Sequence, residues 1–193
     1  MIPQEPPLLR VRQLAVSYRV THQYRRVRLR AIQEVSFELA RGETLGIVGE
    51  SGSGKSTIAR VLLRLVDAER GEAWFLGKDL LRLRAAELQP LRRHLQLIFQ
   101  DPLGSLDPRM TIAETLSEPL RVFEPQWSRS ERTRRILESL EAVGLSARHM
   151  SRLPHEFSGG QAQRIAIARA LIVRPQLVVC DEPLSSLDVS IKS

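Results

Sequence analysis

Residues 49–56 read Gly-Glu-Ser-Gly-Ser-Gly-Lys-Ser, a match to G-x-x-x-x-G-K-[ST], and the stretch stands between an apolar run, TLGIVG, and a helically spaced one, STIARVLLRLV. The surroundings give the pattern its meaning, because a glycine-rich loop is a phosphate cradle only where it follows a strand and opens a helix. Gly52 and Gly54 let the chain turn tightly enough for successive backbone N–H groups to converge on phosphate oxygens, and a helix starting near Lys55 aims its positive end at the same place. Lys55 meets the terminal phosphates as a point charge, and Ser56 offers a hydroxyl to a bridging magnesium ion.

Outward from this loop, strands and helices alternate. TLGIVG has the near-continuous apolar character of a buried parallel strand. Upstream, LLRVRQLAVSYRV and AIQEVSFEL predict two strands, with the basic run His22–Arg30 (HQYRRVRLR) as a solvated hairpin tip or, alternatively, an anionic surface contact. Downstream, EAWFLG and LQLIF read as strands and RAAELQPLRR as a brief helix. From 101 to 155 the prolines 102, 108, 119 and 125 separate short segments, before a helix over SERTRRILESLEAVGL that puts Ile136, Leu137, Leu140 and Val143 on one face. The last stretch returns to the earlier pattern: SGGQAQRIAIARALIV predicts a helix ended by Pro175, and LVVCDEP predicts a buried strand.

Two further features carry chemistry. FSGGQ, Phe157–Gln161, places Ser158, Gly159 and Gly160 at a helix start, which reads either as an ordinary N-cap or as a second anion site. LVVCDEP delivers Asp181 and Glu182 to the carboxyl end of a strand, where ligands gather in α/β sheets. Asp181 is suited to supporting magnesium, and Glu182 to orienting or deprotonating the water that attacks a terminal phosphate. Cys180 reads as a small apolar core residue, and Trp74 and Trp127 as packing residues.

Composition sets limits. The 193 residues are 42% hydrophobic and 26% charged, about one domain's worth of ordinary globular chain. One cysteine excludes an internal disulfide framework and a cysteine-clustered zinc site. A formal net charge of +7 favours an anionic partner, whether nucleotide, nucleic acid or lipid surface.

Taken in order, these motifs resemble those of ATP-binding cassette (ABC) ATPases, the nucleotide-binding subunits of membrane transporters. GESGSGKST resembles Walker A (Gly49, Glu50, Ser51, Gly52, Ser53, Gly54, Lys55, Ser56 and Thr57), Gln100 in IFQDP the Q-loop, FSGGQ the signature (Ser158, Gly159, Gly160 and Gln161), and LVVCDEP the Walker B strand. SSLD, ending at Asp188, resembles the D-loop, and Tyr18 in VSYRV suits the aromatic that stacks on adenine. The wording QDPLGSLDPRMTI with LPHEFSGGQ is similar to the importer ATPases for dipeptides, oligopeptides and nickel.

The resemblance implies an α/β P-loop NTPase fold: a mostly parallel core sheet, an N-terminal antiparallel β subdomain and an inserted helical subdomain. It implies one cassette over 1–193, with core and β subdomain over about 1–100 and 156–193 and helical subdomain over about 101–155. It also implies ATP and Mg2+ as ligands, with Glu182, Gln100 and Lys55 catalytic and Ser56, Gln100 and Asp181 at the metal. The partners implied are a second ATPase subunit, identical or not, in a head-to-tail dimer, transmembrane permease subunits, and indirectly an extracytoplasmic solute-binding protein; nucleic acid is not among them. The location implied is peripheral, on the cytoplasmic face of the inner membrane.

Family members continue after the D-loop to a strand ending in a switch histidine, whereas His22, His94, His149 and His155 all precede LVVCDEP. The expectation is therefore a cassette shortened at its C-terminus. It is either an ATP-hydrolysing importer subunit or a nucleotide- or permease-binding remnant that does not turn over.

Overall fold

The computed structural model describes residues 6–22 and 25–182. They form two compact units, Met1–Gln89 and Pro90–Ser193.

The first unit is built on a long antiparallel hairpin, β1 (Leu9–His22) and β2 (Arg25–Leu39), to which β3 (Arg70–Phe75) and β4 (Lys78–Asp79) add in the order β2-β1-β3-β4. Leu9, Val11, Leu14, Val16 and Phe75 are buried and supply much of its core, each such side chain contributing about 1.5–3 kcal/mol relative to exposure. Helix α1 (Lys55–Leu62) buries Ile58, Val61 and Leu62. β1 bulges between Arg12 and Ala15, and there Gly71 crosses it so closely that a Cβ would lie 2.7 Å from Leu14 Cα and 2.8 Å from the Gln13 carbonyl oxygen. The β3–β4 turn is closed by the buried Asp79, whose Oδ1 accepts from the Ala73 and Leu81 amides at 3.2 and 3.1 Å.

In the second unit β5 (Leu95–Ile98) and β6 (Leu177–Cys180) pair in parallel, with Leu95 opposite Leu177 and Ile98 opposite Cys180. Helices α3 (Ile112–Phe123), α4 (Arg129–Ala142) and α5 (Gly159–Leu171) surround a core that includes Leu116, Leu120, Ile136, Leu140, Ile165 and Ile172. The starts of α3 and α4 are fixed by reciprocal capping boxes, Thr111 with Glu114 and Ser128 with Glu131, which satisfy amides that the first turn leaves open. Arg135 Nε donates to the Ile172 carbonyl at 2.9 Å and ties α4 to the end of α5.

An antiparallel sheet, a parallel strand pair and helices agree with the α/β class that the sequence implies, and several details differ. TLGIVG is not a strand: no strand pairs with it among the described residues, and Leu45, Ile47 and Val48 stand 40%, 43% and 93% exposed. An apolar run becomes a buried strand only when neighbouring strands take up its backbone groups on both edges. The basic run does form the outer end of a hairpin, exposed over Arg26–Arg30, and its second arm, Arg25–Arg30, lies within β2 and pairs across to β1. Pro119 lies inside α3 rather than ending a segment, at the cost of one helical hydrogen bond; burial of Leu116 and Leu120 on either side of it holds the helix together. Helix α2 (Ala85–Leu88) is the brief helix expected before Pro90. Cys180 is exposed, not core, because it ends a strand with only one partner among the described residues; the surrounding chain still desolvates its thiol and raises its pKa.

The close crossing at Gly71 makes a direct prediction. Gly71→Ala places a Cβ against backbone at φ +109 and lowers stability by about 2–4 kcal/mol, whereas Gly42→Ala, at φ +73 but with nothing within 4 Å, costs only about 1 kcal/mol. Chemical denaturation of the two variants checks this, and equal losses would contradict it.

Candidate functional site

In the first unit, the loop 49–54 leads into α1 through Gly54, whose left-handed conformation (φ +99) no other residue adopts without strain. A Cβ on Gly54 would also fall 2.5 Å from the Ala31 carbonyl oxygen of β2, so glycine alone lets the helix begin this close to the sheet. Gly52 is likewise at φ +81, and the Ser53 amide closes a turn onto the Glu50 carbonyl at 3.2 Å. Lys55 folds back over the loop and donates from Nζ to the Gly49 and Glu50 carbonyls, at 2.9 and 2.8 Å. Among the described residues no side chain caps α1. Its first turn and the Lys55 ammonium thus form a positively polarised end with the loop backbone around it, suited to a phosphate chain. Glu50, Ser51, Gly52 and Ser53 are exposed, while Ser56 and Thr57 sit progressively deeper.

Tyr18 reaches the same helix from β1. Its hydroxyl lies 3.3 Å from Thr57 Oγ1, which stations the ring beside the start of α1. Thr57, buried and paired with the tyrosine, positions that ring.

The second unit brings together residues far apart in sequence. Because β5 and β6 run parallel in matched register, their carboxyl ends lie side by side, and the Asp181 amide donates to the Ile98 carbonyl at 3.0 Å. Just beyond, Gln100 Nε2 donates to Glu182 Oε2 at 2.8 Å. Glu182 itself is at φ +46, a conformation that costs a non-glycine residue about 1 kcal/mol or more. A carboxamide thus orients a carboxylate at the strand ends, one residue beyond Asp181.

The segment after Gln100 is stiffened by its own side chains. Asp101 Oδ1 accepts from the Gly104 amide at 3.0 Å, and Ser105 Oγ donates to the Pro102 carbonyl at 2.7 Å. Arg109 binds both carboxylate oxygens of Asp107 and holds its pKa down at about 2, chiefly through the side-chain hydrogen bonds. Arg169 of α5 donates to the Ser105 carbonyl at 2.6 Å, fastening the segment to the helix that FSGGQ opens; burial lowers the pKa of this guanidinium.

At the start of α5, Ser158 Oγ accepts from the Gln161 amide at 3.3 Å and Gln161 Oε1 accepts from the Ser158 amide at 3.1 Å. FSGGQ is therefore an N-cap in its local geometry, and Gly159, with nothing within 4 Å of its Cβ position, leaves open space above the first turn. Asp188 lies outside the described residues. Among the described residues no group of three or more His, Cys, Asp or Glu forms a metal cage, so a magnesium ion here would draw part of its oxygen shell from phosphate and water. Sequence reasoning passed over Arg169, one of two arginines on the helix, and the pairing of Thr57 with Tyr18.

A family model described as ABC transporter matches residues 32–185. The oligopeptide transport ATP-binding protein OppF of Haemophilus influenzae is 48% identical over 191 residues, covering 96% of this chain and 58% of its own length. OppF of Escherichia coli (strain K12) is 53% identical over 165 residues, covering 86% of this chain and 49% of its own length. The chain thus spans about half the length of the curated relatives it matches. Among solved structures, the ATP-binding cassette MJ0796, in a dimeric post-hydrolysis state bound to ADP and Pi, superposes with a TM-score of 0.84 at 31% identity, over 94% of this chain and 77% of that one.

The clamp between α5 and the segment after Gln100 is open to test. Arg169→Met removes a half-buried charged hydrogen bond and lowers stability by about 1–2 kcal/mol in urea denaturation. Protease cleavage within 101–109 is expected to accelerate in the same variant; unchanged cleavage would mean that the segment does not depend on Arg169.

Proposed function

Because the chain belongs to the ABC transporter family, we propose that it acts as the ATP-binding subunit of an importer, coupling ATP binding and hydrolysis to uptake of peptides or a related small solute such as nickel. The observation that carries this reading is the Lys55 ammonium held across the mouth of a glycine loop, ahead of a helix that no side chain among the described residues caps. The naming of both OppF relatives as oligopeptide transport ATP-binding proteins favours a peptide as cargo.

In this reading the amides of loop 49–54 and Lys55 hold the phosphates, Tyr18 stacks on the adenine, and Ser56, Gln100 and Asp181 hold the magnesium. The ion, when bound, neutralises charge on the terminal phosphates. Glu182 accepts a proton from the attacking water, and Gln100 fixes one of its carboxylate oxygens for that task. Ser158, Gly159, Gly160 and Gln161 serve the nucleotide of a second ATPase subunit in a head-to-tail dimer, with Asp188 near the join. The helical subdomain over about 101–155 docks the transmembrane permease, which draws its cargo from an extracytoplasmic solute-binding protein. No helix among the described residues is long and apolar enough to cross a membrane, and attachment through the permease on the cytoplasmic face fits that.

A second reading, a nucleotide- or permease-binding chain that does not turn over, is favoured by the exposure of Leu45, Ile47 and Val48 directly before the loop. The two readings separate experimentally. In both, Lys55→Ala weakens magnesium-ATP binding about 100-fold by equilibrium titration. Only in the first does the chain hydrolyse ATP with its partner subunit, with Glu182→Gln lowering kcat about 100-fold or more while ATP affinity is kept. Undiminished turnover in Glu182→Gln would remove the role given to that carboxylate.

A further inference from the structure

The outer half of the β1–β2 hairpin carries a charge pattern that its own pairing opposes. Register sets Ser17 opposite Arg30, Arg19 opposite Arg28 and Thr21 opposite Arg26. Directly opposed residues share a face, so Arg19, Arg26, Arg28 and Arg30 stand on one side of the ribbon, and like charges directly across, as in Arg19 and Arg28, weaken a ladder. All four are exposed. β3 reaches only to Ala15, so beyond that point the hairpin is a two-stranded ribbon, the kind of element that is marginal by itself.

Little within the unit answers this charge. Glu69 ion-pairs with Arg28 and accepts from Ser17 Oγ at 2.7 Å, and these contacts hold its pKa below the usual range. Asp67 sits nearby but is engaged by Arg64 at 3.7 Å. Among the described residues Arg19, Arg26 and Arg30 make no salt bridge. Between the arginine face and the 67–69 segment opens a cleft of about 480 Å³, lined by Arg19, Arg26 and Arg28. β2 is also the edge strand of its sheet, so the arginine face borders an open edge; the alternate residues Val27 and Leu29, 46% and 56% exposed, stand on the opposite face of the ribbon.

We propose that this arginine face of the β1–β2 ribbon docks on the phosphate headgroups of an anionic lipid bilayer. Guanidinium groups match phosphate in charge and planar hydrogen bonding. A single-stranded nucleic acid calls for stacking aromatics, and the described residues of this face are arginine, serine and threonine. The choice of a membrane over other polyanions rests on the importer reading; the charged face does not.

The test uses the full 193-residue chain and co-sedimentation with vesicles of phosphatidylcholine alone or mixed with phosphatidylglycerol. The chain is expected to partition onto the mixed vesicles only, less so at high salt. The triple variant Arg19→Gln, Arg26→Gln, Arg30→Gln is expected to bind about 100-fold more weakly, since each basic residue near an anionic surface contributes about fivefold. The corresponding triple lysine variant keeps the charge and is expected to keep binding, which guards against a variant that merely misfolds. Equal binding to neutral vesicles, parental binding by the glutamine variant, or loss of binding in the lysine variant would overturn the proposal. So would arginine-dependent binding to a DNA duplex that exceeds binding to vesicles. ATP titration of the same proteins keeps the two readings apart, because loss of ATP binding with vesicle binding intact counts against the importer reading alone.

Discussion

The Ala31 carbonyl of β2 occupies the space where a side chain at residue 54 would begin, and everything about the phosphate loop follows from that contact. It forces glycine and a left-handed turn, and it sets α1 against the sheet with its first turn facing the loop. From there Lys55 can fold back onto the carbonyls of Gly49 and Glu50, and Tyr18 can reach Thr57. A loop rich in glycine and serine would otherwise be one of the least ordered parts of the chain. Tying it to a strand at one end makes it a cradle whose amides are oriented before any anion arrives, which lowers the entropy lost on binding.

The second unit solves a different problem, that of bringing two residues 82 positions apart to within a hydrogen bond. It does so with four matched pairs of parallel strand residues, after which Gln100 and Glu182 emerge side by side. Arg169 then passes the position of the Gln100 segment to α5, the helix that begins at the serine-glycine cap. A displacement of the segment after Gln100 would therefore be felt at the C-terminal end of α5 through the Arg169 hydrogen bond. This is the sort of linkage by which a nucleotide-dependent shift reaches a docked partner.

Much of this was legible in the letters. The loop was readable because its glycines, lysine and serine are each demanded by one physical task at fixed spacing; LVVCDEP was readable only beside that loop, since an acidic pair after a strand is by itself more often a helix N-terminal charge pair. The fate of TLGIVG was not legible, since hydrophobicity signals a wish for burial and says nothing of whether neighbours exist. α3 was overlooked because Pro119 reads as a separator of short segments, whereas the Thr111–Glu114 capping box starts the helix and burial of Leu116 and Leu120 offsets one lost hydrogen bond. The arginine face of the hairpin needed the register, because only pairing decides which of Arg25–Arg30 stand together.

The central claim is that residues 49–57 form a preorganised phosphate cradle fixed by Gly54. Amide hydrogen exchange of the full chain with and without magnesium-ATP tests it most directly. The account predicts that ATP slows exchange at the amides of Gly52 through Thr57, and that Gly54→Ala loses this protection. ATP binding without protection in that stretch, or protection retained in Gly54→Ala, would contradict it.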